Sequence, residues 1–521
     1  MRKPLKITLI VLFSIVVLAI VGVFVSNAIV KSKIEKFLNN SLPQSVEVTY
    51  TDIDVSTISG RVAIINPKIK NFGKTLEKVN STLEMDTLIV DGFGYWDYWT
   101  KDKITVSSIQ LRQPKMNYYH TPPIDKKKYS YSKLEHLTQN ITVNRVNVQN
   151  GQLVIREMQT DSLLLKTENF TANVMDVQLN ERTVKNRIPF IFKDYNVHFD
   201  TLFYHLSEFE NVSIKTTKIT TEEAEFHDIK MHTKYSRQEL SKLIAVERDH
   251  FDVNINSIVL KNQIFGYKND SIFFFTIPKI IVDEPNLNIY RNKLVADDNS
   301  IKPLYSKMLR NLNFDLTLST ISLNNGTITY SEKIKTDAAI AQIHFSKIFA
   351  TIDNISNTYV SPEKTSIAMQ ALFMEQAPMD IEWYFDVNEV NDHFIFKADI
   401  GKLDASKLNV FTEPSINVRL DGELNKIFFT IDGYDDTSTV DLKLNYEDFK
   451  VIVMQKKEKK KNKLLSAVAN IFIKKDSEKE TDNFRNGSAQ VTRDKTKSVF
   501  NFIWLNTSQS LLDAMTGSGK K

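Results

Sequence analysis

The chain lacks cysteine altogether, and this absence removes several classes of chemistry at once. Disulfide bonds, zinc sites built from cysteine and thiol catalysis are all excluded. A large excess of one charge is also missing, because the net charge is only +4 over 521 residues. So small a net charge argues against a dedicated nucleic-acid-binding protein. The hydrophobic share of 42% is ordinary and indicates a folded chain.

Catalytic motifs are missing as well. The sequence contains no G-x-S-x-G, no H-E-x-x-H, no Walker loop and no G-x-G-x-x-G. Its nine histidines are scattered, and His227 and His232 lie five residues apart, a poor spacing for sharing a metal on a helix. We therefore predict a protein that is not an enzyme and that holds no cofactor or metal.

One long apolar run, Leu5 to Val25, stands near the N-terminus. Some twenty helical residues span roughly 30 Å, the thickness of a bilayer core. The run predicts an uncleaved transmembrane helix over residues 5–28 behind a cytoplasmic tip, 1–4. A cleaved signal peptide is the alternative, because Ser26-x-Ala28 offers a small-x-small site. Basic residues flank the run almost equally, so charge does not fix the orientation, and we expect the short N-terminal tip to stay in the cytoplasm.

Two further segments have the spacing of amphipathic helices. Residues 31–42 carry Ile34, Phe37 and Leu38, and this helix either caps the body or lies on the membrane. The segment 455–475 joins a basic run to an apolar helical face, which favours either an anionic membrane surface or packing on a sheet edge. Its membrane-surface candidates are Lys456, Lys457, Lys459, Lys460, Lys461, Leu464, Leu465, Val468 and Phe472.

The body over residues 43–365 repeats one 15-residue pattern, Φ-x-Φ-x-x-Φ-x-Φ-x-x-(P/G/Q)-x-Φ-x-Φ, where Φ is apolar. Alternation of this kind predicts strands with one apolar face. The two-residue gap requires a bulge if the same face is to stay inward, and Pro or Gly marks a second bend. The copies run over 104–118, 141–155, 253–267, 275–289 and 316–330.

These breaks predict a mainly β fold behind the transmembrane helix: a long, strongly twisted, curved antiparallel sheet resembling a groove. A few short amphipathic helices interrupt it, at 236–246 and 303–312. Residues 366–506 are predicted to form a C-terminal β meander, with turns at the Asp-Gly pairs 421–422 and 432–433. Residues 485–494 and 497–506 are predicted to form a last pair of strands. A tail, 507–521, completes the chain.

Tyr95, Trp96, Tyr98 and Trp99 form an aromatic cluster near the start of the body. Trp and Tyr favour the headgroup depth of a membrane, so the cluster has one interpretation as an interfacial belt. Packing between the first strands is the simpler interpretation, and it is the one that we expect.

The N-terminal part of the chain has a basic tip and a single span, followed by the helix IEKFLNNSL and the stretch VEVTYTDIDVSTISGRVAIINPKIKN. It resembles the opening of AsmA-family proteins. The copies ITVNRVNVQNGQLVIRE and LTLSTISLNNGTITYSE are similar to that family's repeats. DGELNKIFFTIDG and LNYEDFKVIVMQKKEKK resemble AsmA-like proteins of the Bacteroidetes type. The resemblance implies a bacterial inner-membrane anchor, a body in the periplasm, and a repeating β-groove that carries lipids or supports outer-membrane homeostasis.

The residues themselves leave two arrangements open. An apolar sheet face either closes on itself as a dry core or stays open as a trough that acyl chains of membrane lipids would cover. We expect lipid binding, abolished by a charge at Ile141, Val143, Ile277 or Leu318; the alternative is a structural or assembly factor that acts through envelope proteins. The candidate lining residues are Ile104, Val106, Ile141, Val143, Val253, Ile255, Ile277, Ile280, Leu316 and Leu318.

Overall fold

The computed structural model describes residues 3–72, 78–120, 139–186, 188–269, 271–454, 477 and 483–516. A single helix, α1 (Lys3–Asn40), joins the predicted span to the predicted amphipathic segment. Its stretch Ser14–Asn40 is long and apolar enough to cross a membrane. Beyond the apolar run, α1 packs against the strand Asp52–Ser56, where Lys31 Nζ lies 2.6 Å from Asp52 Oδ1. This contact involves Lys31, at the start of the amphipathic segment, whereas Phe37 farther along it is 56% exposed.

The chain divides into two compact units. The division does not fall at residue 366, where the sequence predicts the start of the C-terminal meander. Unit 1 comprises Met1–Leu206 and Val212–Ala224, and unit 2 comprises Ser207–Asn211 and Glu225–Lys521. Two strands, β12 (Glu210–Thr220) and β13 (Glu223–Thr233), contribute residues to both. The other elements of unit 1 are β1 (Val46–Thr49), β2 (Asp52–Ser56), β3 (Arg61–Ile65), β4 (Lys68–Phe72), β5 (Val79–Glu84), β6 (Thr87–Phe93), α2 (Tyr95–Lys101), β7 (Lys103–Arg112), β8 (Lys115–His120), β9 (Asn140–Glu157), β10 (Leu163–Leu179) and β11 (Asp194–His205).

Unit 2 continues the same strand-rich pattern and includes the two helices predicted at 236–246 and 303–312. Its elements are α3 (Arg237–Leu243), β14 (Asp249–Lys261), β15 (Ile264–Lys268), β16 (Ile272–Asp283), β17 (Asn286–Asn292), α4 (Tyr305–Arg310), β18 (Asp315–Lys333), β19 (Ala341–Ser356), β20 (Thr365–Phe373), β21 (Ala377–Phe385), β22 (Phe394–Ile400), β23 (Leu403–Asp404), α5 (Asn409–Ile416), β24 (Val418–Gly433), β25 (Thr437–Val453), β26 (Arg485–Thr492) and α6 (Val499–Thr516). The predicted fold class, mainly β with a long bulged sheet behind an apolar helix, is confirmed.

The repeat pattern predicts an antiparallel sheet, but some neighbouring strands of the sheet are parallel. In unit 1, β9 runs parallel to both β7 and β8 and antiparallel to β10. Unit 2 repeats this arrangement, with β18 parallel to β16 and β17 and antiparallel to β19. Parallel neighbours need a crossover of a dozen or more residues, and long connections do precede β9 and β18. An alternating sequence cannot distinguish the two pairings.

Each copy of the repeat contains the expected bend. The residue before the P/G/Q position has a left-handed backbone, with φ of 49° at Gln113, 53° at Asn150 and 52° at Asn325. The matching hydrogen bonds recur between neighbouring strands: Gln113 N–H donates to Gln149 O at 2.8 Å, and Glu284 N–H donates to Asn324 O at 2.9 Å. The bulges therefore align across strands, and the sheet bends along a line rather than at isolated points.

Two predictions for the C-terminal region are wrong. Asp421-Gly422 is not a turn; Gly422 has φ of 98° and lies at a bulge within β24, because the strand continues on both sides. The predicted strand and tail after residue 495 are instead α6, which is helical through Thr516. This helix packs on β25 and β26, and buried Phe502 joins the larger of the two hydrophobic cores found among the described residues.

Candidate functional site

Apolar side chains of unit 1 line up in rows that cross its strands. The register β2–β3–β6–β7–β9–β10–β11 places one apolar residue from every strand in each of two rows. One row is Ile53, Ile64, Leu88, Leu111, Val148, Ala172 and Val197. The next is Val55, Val62, Val90, Ile109, Val146, Val174 and Tyr195. Beyond the bulges follow Phe93, Val106, Val143 and Val177, and then Ile104, Ile141 and Leu179. We call these four rows the unit 1 apolar face.

The opposite face of the same strands is polar over most of its length. Residues one step along each strand point the other way, because strand side chains alternate. The cross-strand row that these residues form carries a side-chain amide on each of four adjacent strands. Apolar side chains occur only among its first three residues. The row is Asp54, Ala63, Ile89, Gln110, Asn147, Asn173 and Asn196. The two faces of unit 1 therefore differ sharply in chemistry.

The unit 1 apolar face is only partly covered. Ile53 and Val55 are buried where α1 packs on β2, and Val106 and Val143 are each 6% exposed. The remaining row residues are mostly half-buried. Both clusters of buried hydrophobic residues found in the described part of the chain lie in unit 2. Within the part of the chain that the structure describes, the side chains of this face contact one another but no complete second layer covers them.

Unit 2 contains a second set of apolar rows, the unit 2 apolar face. The rows are Val253, Leu287, Ile328, Phe345 and Phe373; Ile258, Val282, Leu323, Ala350, Met369 and Ile381; Leu260, Ile280, Ile321, Ile352, Ile367 and Trp383; Ile277, Leu318 and Ile355; and Phe265, Phe275 and Leu316. Its later strands, from β20 onward, continue into the closed core.

A charged row ends the unit 2 apolar face beyond Tyr330. Asp249, Arg291 and Glu332 are cross-strand neighbours, and Arg291 contacts both Asp249 carboxylate oxygens at 2.7 Å. The Tyr330 hydroxyl donates to Glu332 Oε2 at 3.0 Å. Burial raises the pKa of Glu332, since the Tyr330 hydrogen bond and the charges of Lys293 and Arg291 offset it only in part. This row is a polar boundary to an otherwise apolar surface.

The predicted lining residues fall on these faces. Ile104, Val106, Ile141 and Val143 lie in unit 1 rows, and all the unit 2 candidates except Ile255 lie in unit 2 rows. Ile255 lies between the two registers of β14 with β17 and β16. Val253, Ile277 and Ile280 are buried, whereas Leu316 and Leu318 are half-buried. All the predicted membrane-surface residues between Lys456 and Phe472 lie outside the described residues.

The aromatic side chains of α2 are not arranged as the sequence predicts. Trp96 and Trp99 were expected to pack between strands, but they are 74% and 75% exposed. Tyr95 and Tyr98 of this short helix contact the ring of Phe93 at centroid distances of 5.2 and 5.8 Å, and Tyr98 is itself 42% exposed. The unusual density of aromatic residues was the available signal, and its interfacial interpretation fits these exposures better.

The two faces consist mainly of apolar side chains in register across the strands. Among the residues described, no group of three or more His, Asp or Glu side chains is arranged to hold a metal ion. The charged row of unit 2 is an ion pair beside a hydrogen-bonded Tyr–Glu pair. What the arrangement offers is a long apolar surface with polar margins.

Comparison with known proteins adds no assignment. No protein-family model matches the chain, and no curated protein matches it. The resemblance to AsmA-like proteins therefore remains an expectation from the quoted motifs. The features that bear on function are the two apolar faces and α1.

Proposed function

We propose that this chain is an inner-membrane-anchored periplasmic protein of the AsmA-like type that binds or transfers membrane lipids along its apolar β faces. The observation that carries the proposal is the unit 1 apolar face, which is four rows deep and half-buried and which no second layer closes among the described residues. Soluble monomers rarely leave more than a few hundred Å² of contiguous apolar surface uncovered. Acyl chains are the natural cover for such a surface beside a membrane.

An acyl chain suits this face for physical reasons. Each methylene that leaves water contributes about 0.8 kcal/mol, so a chain laid along the rows gains several kcal/mol without any specific contact. Apart from Tyr195 at the end of one row, the rows present only hydrocarbon side chains and the ring of Phe93, so few fixed polar groups hold one position more strongly than the next. A lipid would therefore keep its headgroup at the polar margin and move along the face. Supporting outer-membrane homeostasis follows as the cellular role.

Site-specific photocrosslinking in the full-length chain tests the proposal. A benzophenone amino acid replaces Val146 on the apolar face or, as the matched control, Asn147 on the opposite face. Val146 lies five residues from Ile141 on β9, which is roughly 16 Å along the strand at about 3.3 Å per residue. It is therefore well away from the row of Ile104, Ile141 and Leu179, which is nearest the strand ends. In cells labelled with radioactive phosphate, we expect phospholipid adducts at position 146 and few at 147.

The outcomes separate the two functional classes. Equal or absent lipid labelling at both positions would contradict lipid binding on this face. Adducts with a protein at position 146 would favour the alternative, a structural or assembly factor of the envelope that acts through protein partners.

A further inference from the structure

The helix α2 presents two tryptophans to the outside while its tyrosines hold it in place. Trp96 and Trp99 lie three residues apart, hence on one side of the helix, and about three quarters of each side chain is exposed. Asp97 ties the far side of α2 to β7 by accepting a hydrogen bond from Thr105 Oγ1 at 3.1 Å. The tryptophans are therefore displayed by a supported helix and not by a loose loop.

This helix lies beside the point where α1 leaves its apolar run. Phe93, two residues before α2, donates its N–H to Gly60 O at 3.1 Å. Gly60 belongs to the β2–β3 turn, and Thr57 of the same turn binds Asn27 Oδ1 through its N–H at 2.8 Å and its hydroxyl at 2.7 Å. The Thr57 hydroxyl also lies 2.7 Å from Ser26 Oγ. Ser26 and Asn27 are the first polar residues after the apolar run.

Other exposed apolar side chains share this edge of unit 1. The apex of the β2–β3 turn carries Ile58, which is 78% exposed. Cross-strand pairing of Ile104, Ile141 and Leu179 places the end of β10 at the same edge. The segment that follows β10 is held there by the bridge between Gln178 and Ile191. The apolar edge consists of Ile58, Trp96, Trp99, Ile188, Phe190, Ile191 and Phe192, all at least 39% exposed.

We propose that the apolar edge rests in the headgroup region of the bilayer that α1 crosses. Twenty helical residues span the hydrocarbon core, so a helix that enters near Leu5 reaches the opposite interface near Ser26 and Asn27. Those residues are bonded to the turn beside α2, which places the tryptophans at the depth that Trp prefers. Continuity with the span identifies the occupant as the phospholipid interface of that same membrane.

This placement gives the unit 1 apolar face a defined entrance. The rows nearest the apolar edge are those of Ile104, Ile141 and Leu179, followed by Phe93, Val106, Val143 and Val177. A lipid leaving the outer leaflet would meet these rows first, without crossing water. The inference rests on the membrane anchor of the proposed function but not on lipid occupying the face.

Quenching of tryptophan emission by brominated phosphatidylcholine tests the placement in the full-length chain, reconstituted in liposomes. The chain has four tryptophans; Trp383 is 6% exposed and Trp504 is 38% exposed. Lipid brominated near the headgroup end of its chains should remove up to about half of the emission, because two of the four residues lie at the interface. The Trp96→Phe/Trp99→Phe variant should lose most of that quenching while keeping the circular dichroism of the parent.

Two further measurements decide between the outcomes. Quenching by aqueous acrylamide in place of brominated lipid would place Trp96 and Trp99 in water and overturn the inference. The Val143→Asp variant, designed to empty the apolar face, should keep the full lipid quenching; loss of quenching there would mean that lipid on the face, not the interface, is the quencher. If quenching is retained but no lipid adducts form at position 146, the placement of the apolar edge at the membrane is supported. Lipid binding on the unit 1 apolar face is then contradicted.

Discussion

Single residues with left-handed backbone set the bends of the repeat. They precede the P/G/Q position in every copy and have φ between 48° and 54°. Asn and Asp tolerate this region better than other side chains, and the position is Asn in most copies. The residues are Gln113, Asn150, Asn262, Glu284 and Asn325. The sequence marked the bend through the following Pro or Gly, but the residue that bears the unusual conformation is the one before it.

Asn325 allows this interpretation to be tested, because its side chain is exposed and a substitution acts mainly through the backbone. A left-handed conformation costs an ordinary L-residue about 1–2 kcal/mol. We therefore expect Asn325→Val to lower the free energy of unfolding by about that amount, whereas Asn325→Gly changes it little. Urea denaturation of the full-length chain, followed by circular dichroism, measures both. Equal losses in the two variants would show that the bend does not depend on φ at this residue.

Individual elements were predictable where apolar spacing is regular and misread where it is not. The helices α3 and α4 follow from apolar residues at i, i+3 and i+4. In α6 the fully buried positions Phe502, Asn506 and Ser510 are four residues apart, but two of them are polar. Asn506 is buried because it accepts from the Ser438 hydroxyl at 2.8 Å and donates to Phe502 O. A buried polar pair of this kind hides the helical period from a reading of hydrophobicity.

The charged row of β14, β17 and β18 predicts a dependence of stability on pH. Because burial raises the pKa of Glu332 above its ordinary value of 4.5, the folded chain binds that proton more tightly than the unfolded chain does. Its favourable contribution is complete below pH 4.5 and is lost as pH rises through the raised pKa. Glu332→Gln removes this loss and keeps an acceptor for the Tyr330 hydroxyl.

The stability of Glu332→Gln relative to the parent chain should therefore increase between pH 4.5 and pH 8. Urea midpoints of both proteins across this range measure the difference. A difference that stays constant or shrinks with rising pH would mean that the Glu332 carboxylate is adequately solvated or paired in the fold.

At the scale of the whole molecule, the same alternating pattern produces a half-buried face in unit 1 and a closed core in unit 2. Val146 and Val148 in unit 1 are half-buried. Phe394, Leu442 and Leu444 in unit 2 are at most 3% exposed, since α6 covers that part of the sheet. What covers a face is a distant element, so local alternation predicts the strand but not its cover. This is why the alternation predicts the apolar rows but does not decide between an open trough and a closed core.

The absence of cysteine makes the membrane topology directly testable, because any introduced cysteine is the only one in the chain. We expect Lys364→Cys, at an exposed position of unit 2, to react with a membrane-impermeant maleimide once the outer membrane is permeabilised. Arg2→Cys, in the tip before the apolar run, should react only after the inner membrane is lysed. The two variants thus report the two sides of α1 independently.

Each departure from this pattern has a distinct meaning. Labelling of Arg2→Cys but not Lys364→Cys in unlysed cells would invert the topology and place the apolar faces in the cytoplasm. Loss of the Arg2→Cys label from the mature chain, even after lysis, would show cleavage near Ala28 and a body released from its span. In that case Thr57 would lose its partners Ser26 and Asn27, and the apolar edge beside α2 would have only its own tryptophans to hold it at a membrane.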